Sequence, residues 1–464
     1  MQKKKRAKSS KQKNPSSLPV IRPMVAGIDL GSTEHWVCGR TCEDGSPNVR
    51  VFQTTTPQLQ ELVDWLLEQG IESVAMESTS VYWIPLYELL EVHGVEVLLV
   101  NARQLSHVPG RKTDMQDCQW LQLLHSCGLL RGSFRPDEAI CRLRAIKRQC
   151  SNLVAERTKA VQWMQKALDQ MNVQVHRAVS DLTGKTGMSI IRSIVAGERD
   201  PNKLAAYRDS RCQKSEKTIA EHLSGNWREE HLFNLSMALR FYDELQELIT
   251  CYEKQLSKEM VALEPPDRKN QTVPKNPNAN KEKTIKKRGE QEVRTSLWRL
   301  TGVDLTRIDG ISAGTAQIVI TEVGFDLASF PSEKHFVSWL RLSPKTPVSA
   351  GKPLKKNSRG TGATRVATVL RMASLSLRRS KTALGASFRR IARYKSGAVA
   401  VFATARKLAT IIYRMLRYGQ TYTDIGERAY EDRFQQRRLA SLKASAISAG
   451  YILVPEKECA EVSG

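Results

Sequence analysis

The sequence predicts an α/β domain at the N-terminal end, a long helical, coiled-coil-like middle and a mostly helical, basic C-terminal domain. Three observations carry this prediction. Short apolar runs bounded by turn residues alternate with helical patterns over residues 24–130. Beyond Asp137 the apolar residues recur at threes and fours, the spacing of one helix face. From Lys334 to Thr423 there is no Asp or Glu, in a chain that holds 48 acids, 72 Lys and Arg, and a net charge of +24.

The elements follow in order. Strands are expected at 25–30, 34–40 and 48–54, with Gly45-Ser-Pro as the turn signal between the last two. A helix over 57–69, a strand at 71–76, a helix over 80–92 and a strand at 94–100 come next. A further helix begins near Thr113, whose hydroxyl can cap it. Three strands in a meander and then alternating helix and strand is the order of a ribonuclease-H-like domain. From Asp137 to about Gln174, residues such as Ile140, Leu143, Ile146, Leu153 and Val161 mark one amphipathic helix, and a second runs from Leu232 to Leu263. Two such helices suit either a coiled-coil or dimerisation arm or a helical subdomain packed on itself. Pro265 to Glu292 is rich in Asn, Lys and Pro and reads as a flexible basic linker. The domain boundaries expected are therefore a basic, disordered arm over 1–23, the α/β domain over 24–136, the helical region over 137–264, the linker over 265–292, the C-terminal domain over 293–423 and a loose tail over 424–464.

The length of 464 residues fits about three domains. The surplus of +24 favours a polyanionic partner. The hydrophobic fraction of 41% supports real cores. No stretch of about 18 uncharged apolar residues is present, so no membrane span is expected. Basic residues at 3, 4, 5, 6, 8, 11 and 13 without an apolar segment are not expected of a signal peptide; they read as a disordered nucleic-acid-binding arm rather than a nuclear import signal. The nine cysteines contain no CxxC pair and are expected to be ordinary thiols in a reducing cytosol.

Four carboxylates stand out. Asp29 ends the apolar run of Val25-Ala-Gly-Ile-Asp-Leu-Gly-Ser, and Glu77 ends that of Val74-Ala-Met-Glu-Ser. Asp114 and Asp117 lie one helical turn apart in Lys112-Thr-Asp-Met-Gln-Asp-Cys. Acids that converge on one point repel strongly unless a cation joins them, and a two-metal site moves phosphoryl groups.

The acid-free stretch reads as a nucleic-acid-facing surface. Just before it, Leu305-Thr-Arg-Ile-Asp-Gly-Ile-Ser-Ala-Gly-Thr-Ala resembles a helix-hairpin-helix, with Gly310 at the turn and Gly314 opening a helix whose amides could meet a phosphate. Within it, residues 342–362 have too much Pro and Gly for a long helix and form a loop carrying Ser349 among cations. A serine beside Lys and Arg could attack a phosphodiester, although Ser343 and Ser358 are chemically comparable. Arg341, Lys345 and Lys352 are expected to contact nucleic acid, together with Lys355, Lys356, Arg359 and Arg365. Arg111 and Lys112, beside the third acid, are expected to do the same.

Together the acid set, the helical middle and the serine loop resemble the DEDD-type insertion-sequence transposases of the one-ten/eleven-eleven group, the bridge-RNA-guided DNA recombinases. The resemblance runs from Met24 to about Gly419, on Gly27-Ile-Asp-Leu-Gly, Ala75-Met-Glu-Ser-Thr and Lys112-Thr-Asp-Met-Gln-Asp. It implies a RuvC-like N-terminal domain in which Asp29, Glu77, Asp114 and Asp117 hold Mg²⁺. It implies that Ser349 attacks DNA and forms a transient phosphoserine link, with Ala350 standing where the family usually has Gly. Donor and target DNA, a bridge RNA, and dimers or tetramers of the chain in a bacterial or archaeal cytoplasm, at the nucleoid, follow from the same resemblance. In such assemblies one subunit's RuvC-like domain meets another's serine domain. The rival readings are an actin-like or sugar-kinase-type ATPase, a junction-resolvase-like nuclease using the four acids alone, and a non-catalytic descendant of a transposase.

Overall fold

The computed structural model describes residues 19–42, 44–78, 80–101, 114–343, 348–349, 352–353 and 364–454. The basic arm before residue 19 therefore lies outside the described residues. The chain divides into two compact units, Met1–Arg135 and Pro136–Gly464.

In the first unit five strands form one sheet: β1 (Val25–Leu30), β2 (Glu34–Cys38), β3 (Val49–Gln53), β4 (Ser73–Glu77) and β5 (Glu96–Val100). Their order is β3-β2-β1-β4-β5. β1, β2 and β3 pair antiparallel, whereas β4 and β5 run parallel to β1. The parallel half is connected through helices α1 (Thr56–Glu68) and α2 (Trp83–Val92), and α3 (Asp114–Ser126) follows β5. Each expected element is present within a few residues. The alternation of a strand explains the two faces. Ala26, Ile28 and Leu30 of β1 and Val74 and Met76 of β4 pack with Leu59, Leu62 and Leu66 of α1 and Leu86 and Leu90 of α2. On the other face Ala75 and Val100 pack with Leu121 of α3.

The second unit is helical. α4 (Glu138–Gln170) starts at Asp137, whose carboxylate accepts the Ile140 N–H at 2.8 Å. Four shorter helices follow: α5 (Val175–Ala178), α6 (Lys185–Val195), α7 (Pro201–Ala205) and α8 (Glu216–Leu223). The chain then returns along α9 (Glu229–Ala262). Trp163 stacks on Phe241 at 5.9 Å, and the Arg157 guanidinium donates to Gln246. The partner number rises as the first falls, so α4 and α9 pair antiparallel within the chain. Met164, Leu168, Ile190, Ile194, Leu235 and Leu239 form a core that caps the far end of this pair. Within one chain the two long helices thus pack on each other along their length, as a coiled-coil-like insertion or a self-packed subdomain would.

The rest comprises α10 (Ala279–Lys287), α11 (Gln291–Thr301), α12 (Ala313–Val323), α13 (Glu333–Trp339), α14 (Arg365–Ser376), α15 (Ala383–Tyr394), α16 (Gly397–Tyr418) and α17 (Glu427–Ser448). A short antiparallel pair joins β6 (Val348–Ser349) to β7 (Lys352–Pro353). α12 packs on α4 and α11 on α9, so the middle and C-terminal regions share one unit rather than standing as separate domains.

Two expectations are corrected. Residues 265–292 are not a bare linker. The Arg294 side chain is only 1% exposed and ion-pairs with Glu282 and Asp304 at 2.8 Å each, and it also donates to the Pro274 carbonyl. Ile285 and Asn276 are buried as well. A buried guanidinium needs such partners, so it fastens the segment despite the lack of large apolar residues. The tail after Asp424 is not loose throughout either, because α17 packs on α15. It buries no whole side chain and is held instead by Arg389–Glu427 and by Arg390, whose guanidinium carbon lies 3.7 Å from the Phe434 ring centroid.

Candidate active site

β1 and β4 run side by side with Gly27 opposite Ala75 and Ile28 opposite Met76. One residue further, Asp29 and Glu77 leave neighbouring strands at the same height. Both belong to the face that carries Gly27 and Ala75, since side chains alternate along a strand. That face is covered by α3, whose first turn holds Asp114 and Asp117. Two acids in a first turn also suit the positive end of the helix.

Gly27 makes the approach possible. A Cβ there would fall 2.3 Å from the Gln122 nitrogen and 2.4 Å from the Cys118 oxygen, both on the α3 backbone. With Ala75 beside it, the sheet offers a flat place on which the helix lies close. The far end of α3 is fixed by a buried hydrogen bond of 2.8 Å between His125 and Ser73 of β4. Gly27 lies inside the first-acid motif of the sequence, and its packing role shows only in the fold. The signal available was a residue without a side chain in the middle of an otherwise bulky buried strand.

The electrostatics tie the four acids together. The Asp29 carboxyl is pushed up to about 6, by burial first and then by the charges of Asp114, Asp117 and Glu77. Burial also pushes the neighbouring Cys118 thiol up to about 12, with Cys38 and Asp29 adding to the shift. That thiol stays protonated near neutral pH and is not a nucleophile. Among the described residues, no three His, Cys, Asp or Glu side chains stand close enough to hold a metal ion as placed. The acids share one field without forming a closed ligand set. Their chemistry is that of a hard-cation site, since all four supply carboxylate oxygens.

Ser349 lies on β6 directly opposite Lys352 of β7. Arg111 and Lys112, and likewise Lys345, Lys355, Lys356 and Arg359, lie outside the described residues. Arg341 is exposed just after α13, with a φ of +58°. Arg365, at the start of α14, is 3.9 Å from the Glu322 carboxylate and is partly engaged by the protein itself.

At the hairpin, Gly310 has a φ of +82°, and a Cβ there would meet the Ala373 oxygen at 3.0 Å. Its freedom serves the packing of α14 as much as the turn. Two amides at the start of α12 are already bonded, Ala313 to the Glu290 carboxylate and Thr315 to the Ser312 hydroxyl. A carboxylate therefore sits at the helix N-terminus where the sequence offered room for a phosphate, with Gly314 open beside it.

A mixed sheet with acids at two strand ends and a following helix, joined to a basic helical region, has the make-up of a DNA-processing enzyme. Comparison with known families agrees. Residues 26–173, which include all four acids, match the DEDD transposase model of IS110 type. Residues 302–389, which include Ser349, match the model described as Transposase IS116/IS110/IS902 family. The two stretches together span about half of the chain. The chain belongs to the IS110 family of DEDD transposases. No curated protein matches it significantly. Among the described residues no helix is long and apolar enough to cross a membrane.

Proposed function

We propose that this transposase is a recombinase that cuts and rejoins DNA through a serine nucleophile, Ser349, assisted by a RuvC-like four-acid site. The observation that carries the proposal is geometric: Asp29 and Glu77 end neighbouring parallel strands on the face covered by α3, whose first turn holds Asp114 and Asp117, and burial together with the charges of the other three acids raises the Asp29 carboxyl to about 6. Such crowding is costly in a fold unless the charge has a use. Mg²⁺ bound by these four carboxylates would supply Lewis-acid polarisation of a phosphate oxygen and neutralise the developing charge.

The chain's own residues do the rest. The Ser349 hydroxyl oxygen forms a bond to the phosphorus of the scissile phosphodiester, and the bond from that phosphorus to one sugar oxygen breaks. The released sugar hydroxyl takes up the proton. The phosphoserine ester keeps the bond energy, so a second sugar hydroxyl can reverse the step and seal a new junction. Lys352, opposite Ser349 on the hairpin, and the neighbouring cations Lys345, Lys355, Lys356 and Arg359 offset the phosphate charge. Arg111, Lys112, Arg341 and Arg365 position the nucleic acid through its backbone. Gly310 and Gly314 add a hairpin contact next to the Glu290-capped turn.

A bridge RNA would supply the sequence information, with base pairing reading the target and the protein reading shape. The region over 24–136 would act as the acid domain and 293–423 as the serine domain, paired across a dimer or tetramer. The test is a two-plasmid recombination assay with purified protein, together with sequencing of the nucleic acid that co-purifies. Joined recombinant DNA that requires Mg²⁺, and one structured RNA from the same element, are expected. Cut ends without joining would instead favour a junction-resolvase-like nuclease.

A further inference from the structure

The helix α17 lies beyond both stretches matched by family models, yet it closes a pocket on the acid-free region. The pocket has a volume of about 550 Å³. α15 contributes Arg390 and α16 contributes Lys407, while α17 contributes Tyr430, Phe434, Arg437 and Arg438. Four cations thus face one space, and no carboxylate lines it. The nearby Glu431 and Asp432 turn to another side, where they lie with Lys381 and Arg428.

Like charges so placed would separate unless something held them. The aromatic rings do part of this. Arg390 lies over both Phe434 and Tyr430, and the Lys407 ammonium is 5.8 Å from the Tyr430 ring centroid. Lys407 also donates to the Ser387 hydroxyl. One guanidinium nitrogen of Arg390, Nη1, is nevertheless buried and meets no acceptor among the described residues. Four cations around one space with no carboxylate lining it make a place for an anion. Burial together with the charges of Arg390 and Arg437 also holds the Lys407 ammonium below its ordinary value, against the opposing effect of Tyr430. An anion in the pocket would relieve that strain.

We propose that this pocket binds a phosphate of a nucleic-acid strand, with Arg390 and Lys407 at its floor and Arg437 and Arg438 at its mouth. The inference rests on the nucleic-acid reading of the acid-free region and gives that region a definite anchor. The helix α17 then acts as a clamp that completes a phosphate site on α15 and α16. A strand is favoured over a small anion because Arg437 and Arg438 are exposed and stand on one face of α17 with the pocket's aromatic residues, leaving room for a chain to run past the pocket.

The test uses the full chain, washed free of nucleic acid at high salt, and a fluorescein-labelled 20-nucleotide single-stranded RNA followed by anisotropy. The double variant Arg437→Glu/Arg438→Glu changes only exposed side chains. It should weaken binding about tenfold and lower the slope of log K against log salt by about 1.5. The double variant Arg428→Glu/Arg433→Glu puts the same charge change on the same helix away from the pocket, and should weaken binding less than threefold. Equal losses in the two variants would show a diffuse field and overturn the pocket. Unchanged binding by Arg437→Glu/Arg438→Glu would overturn it too. Displacement of the RNA by sub-millimolar inorganic phosphate would mean a small-anion site, and displacement by an equal concentration of poly-glutamate an acidic-peptide site. Either result contradicts the proposal. If the unmutated protein binds no RNA or DNA oligonucleotide at all, the proposed function falls with it. If it binds and only the pocket variant is silent, the function stands and the pocket falls.

Discussion

The strand-end acids of the first unit and the acid-free stretch of the second concentrate charge of opposite sign by different means. In the first, four carboxylates are gathered by regular structure: two parallel strands end level with each other, and a helix lies on Gly27 with its acidic first turn toward them. In the second, the described cations are spread along helix surfaces, some paired with single acids such as Glu333 and Glu427 and others stacked on rings. The difference teaches that a negative site in this fold is built by topology, whereas the positive surface is built by composition. Single changes should therefore be severe in the acid site and mild across most of the basic surface.

The largest effect is expected at the acids themselves. Asp29→Asn or Asp114→Asn should lower recombination about a thousandfold, the scale of removing one electrostatic stabiliser of a transition state. Full activity in either variant, or in the presence of a chelator, would remove the four-acid site from the reaction. A stability effect of comparable weight is expected outside it. Arg294→Met leaves Asp304 buried and Glu282 half-buried without their partner and should cost about 3–5 kcal/mol in denaturant unfolding of the second unit. A change typical of a surface residue would restore the reading of 265–292 as a linker.

Smaller effects sharpen the contrast. Gly27→Ala forces α3 off the sheet and should cost about 1–3 kcal/mol by overpacking. It should also raise the Mg²⁺ concentration needed for half-maximal recombination, because Asp114 and Asp117 move with the helix. Loss of stability with an unchanged Mg²⁺ requirement would make Gly27 a packing residue only. The smallest effect concerns pH. The Asp29 carboxyl is raised from its ordinary 3.8 to about 6, so the folded state favours its protonated form. Above pH ~6 the charged group weakens the fold, and below pH ~4 both states are protonated and the penalty is gone. In chelator, Asp29→Asn should therefore raise Tm by a few degrees at pH ~8 and leave it unchanged at pH ~4. A lower Tm at pH ~8 would contradict the crowding of the four acids.

Much of the first unit was legible because its strands are apolar runs punctuated by turns, and Asp29 and Glu77 stand where those runs stop. Its closest packing was not, since Gly27 leaves no pattern behind. In the second unit, α4 and α9 announce themselves by periodicity. The segment around Arg294 was misread because one buried cation and its two acids, not apolar residues, hold it in place. α17 was missed because it packs through Arg390 on Phe434 and buries no residue of its own. Ser349 differs from both cases. Neither charge nor spacing separates it from Ser343 and Ser358, and only family resemblance singled it out.

The central claim is that Ser349 takes the DNA strand. Incubation with Mg²⁺ and radiolabelled donor DNA, followed by denaturing electrophoresis, asks this directly. A covalent protein–DNA adduct is expected from the unmutated chain, and none from Ser349→Ala, while that variant still binds DNA within about twofold. An adduct formed by Ser349→Ala, or recombination at the unmutated rate, would contradict the account.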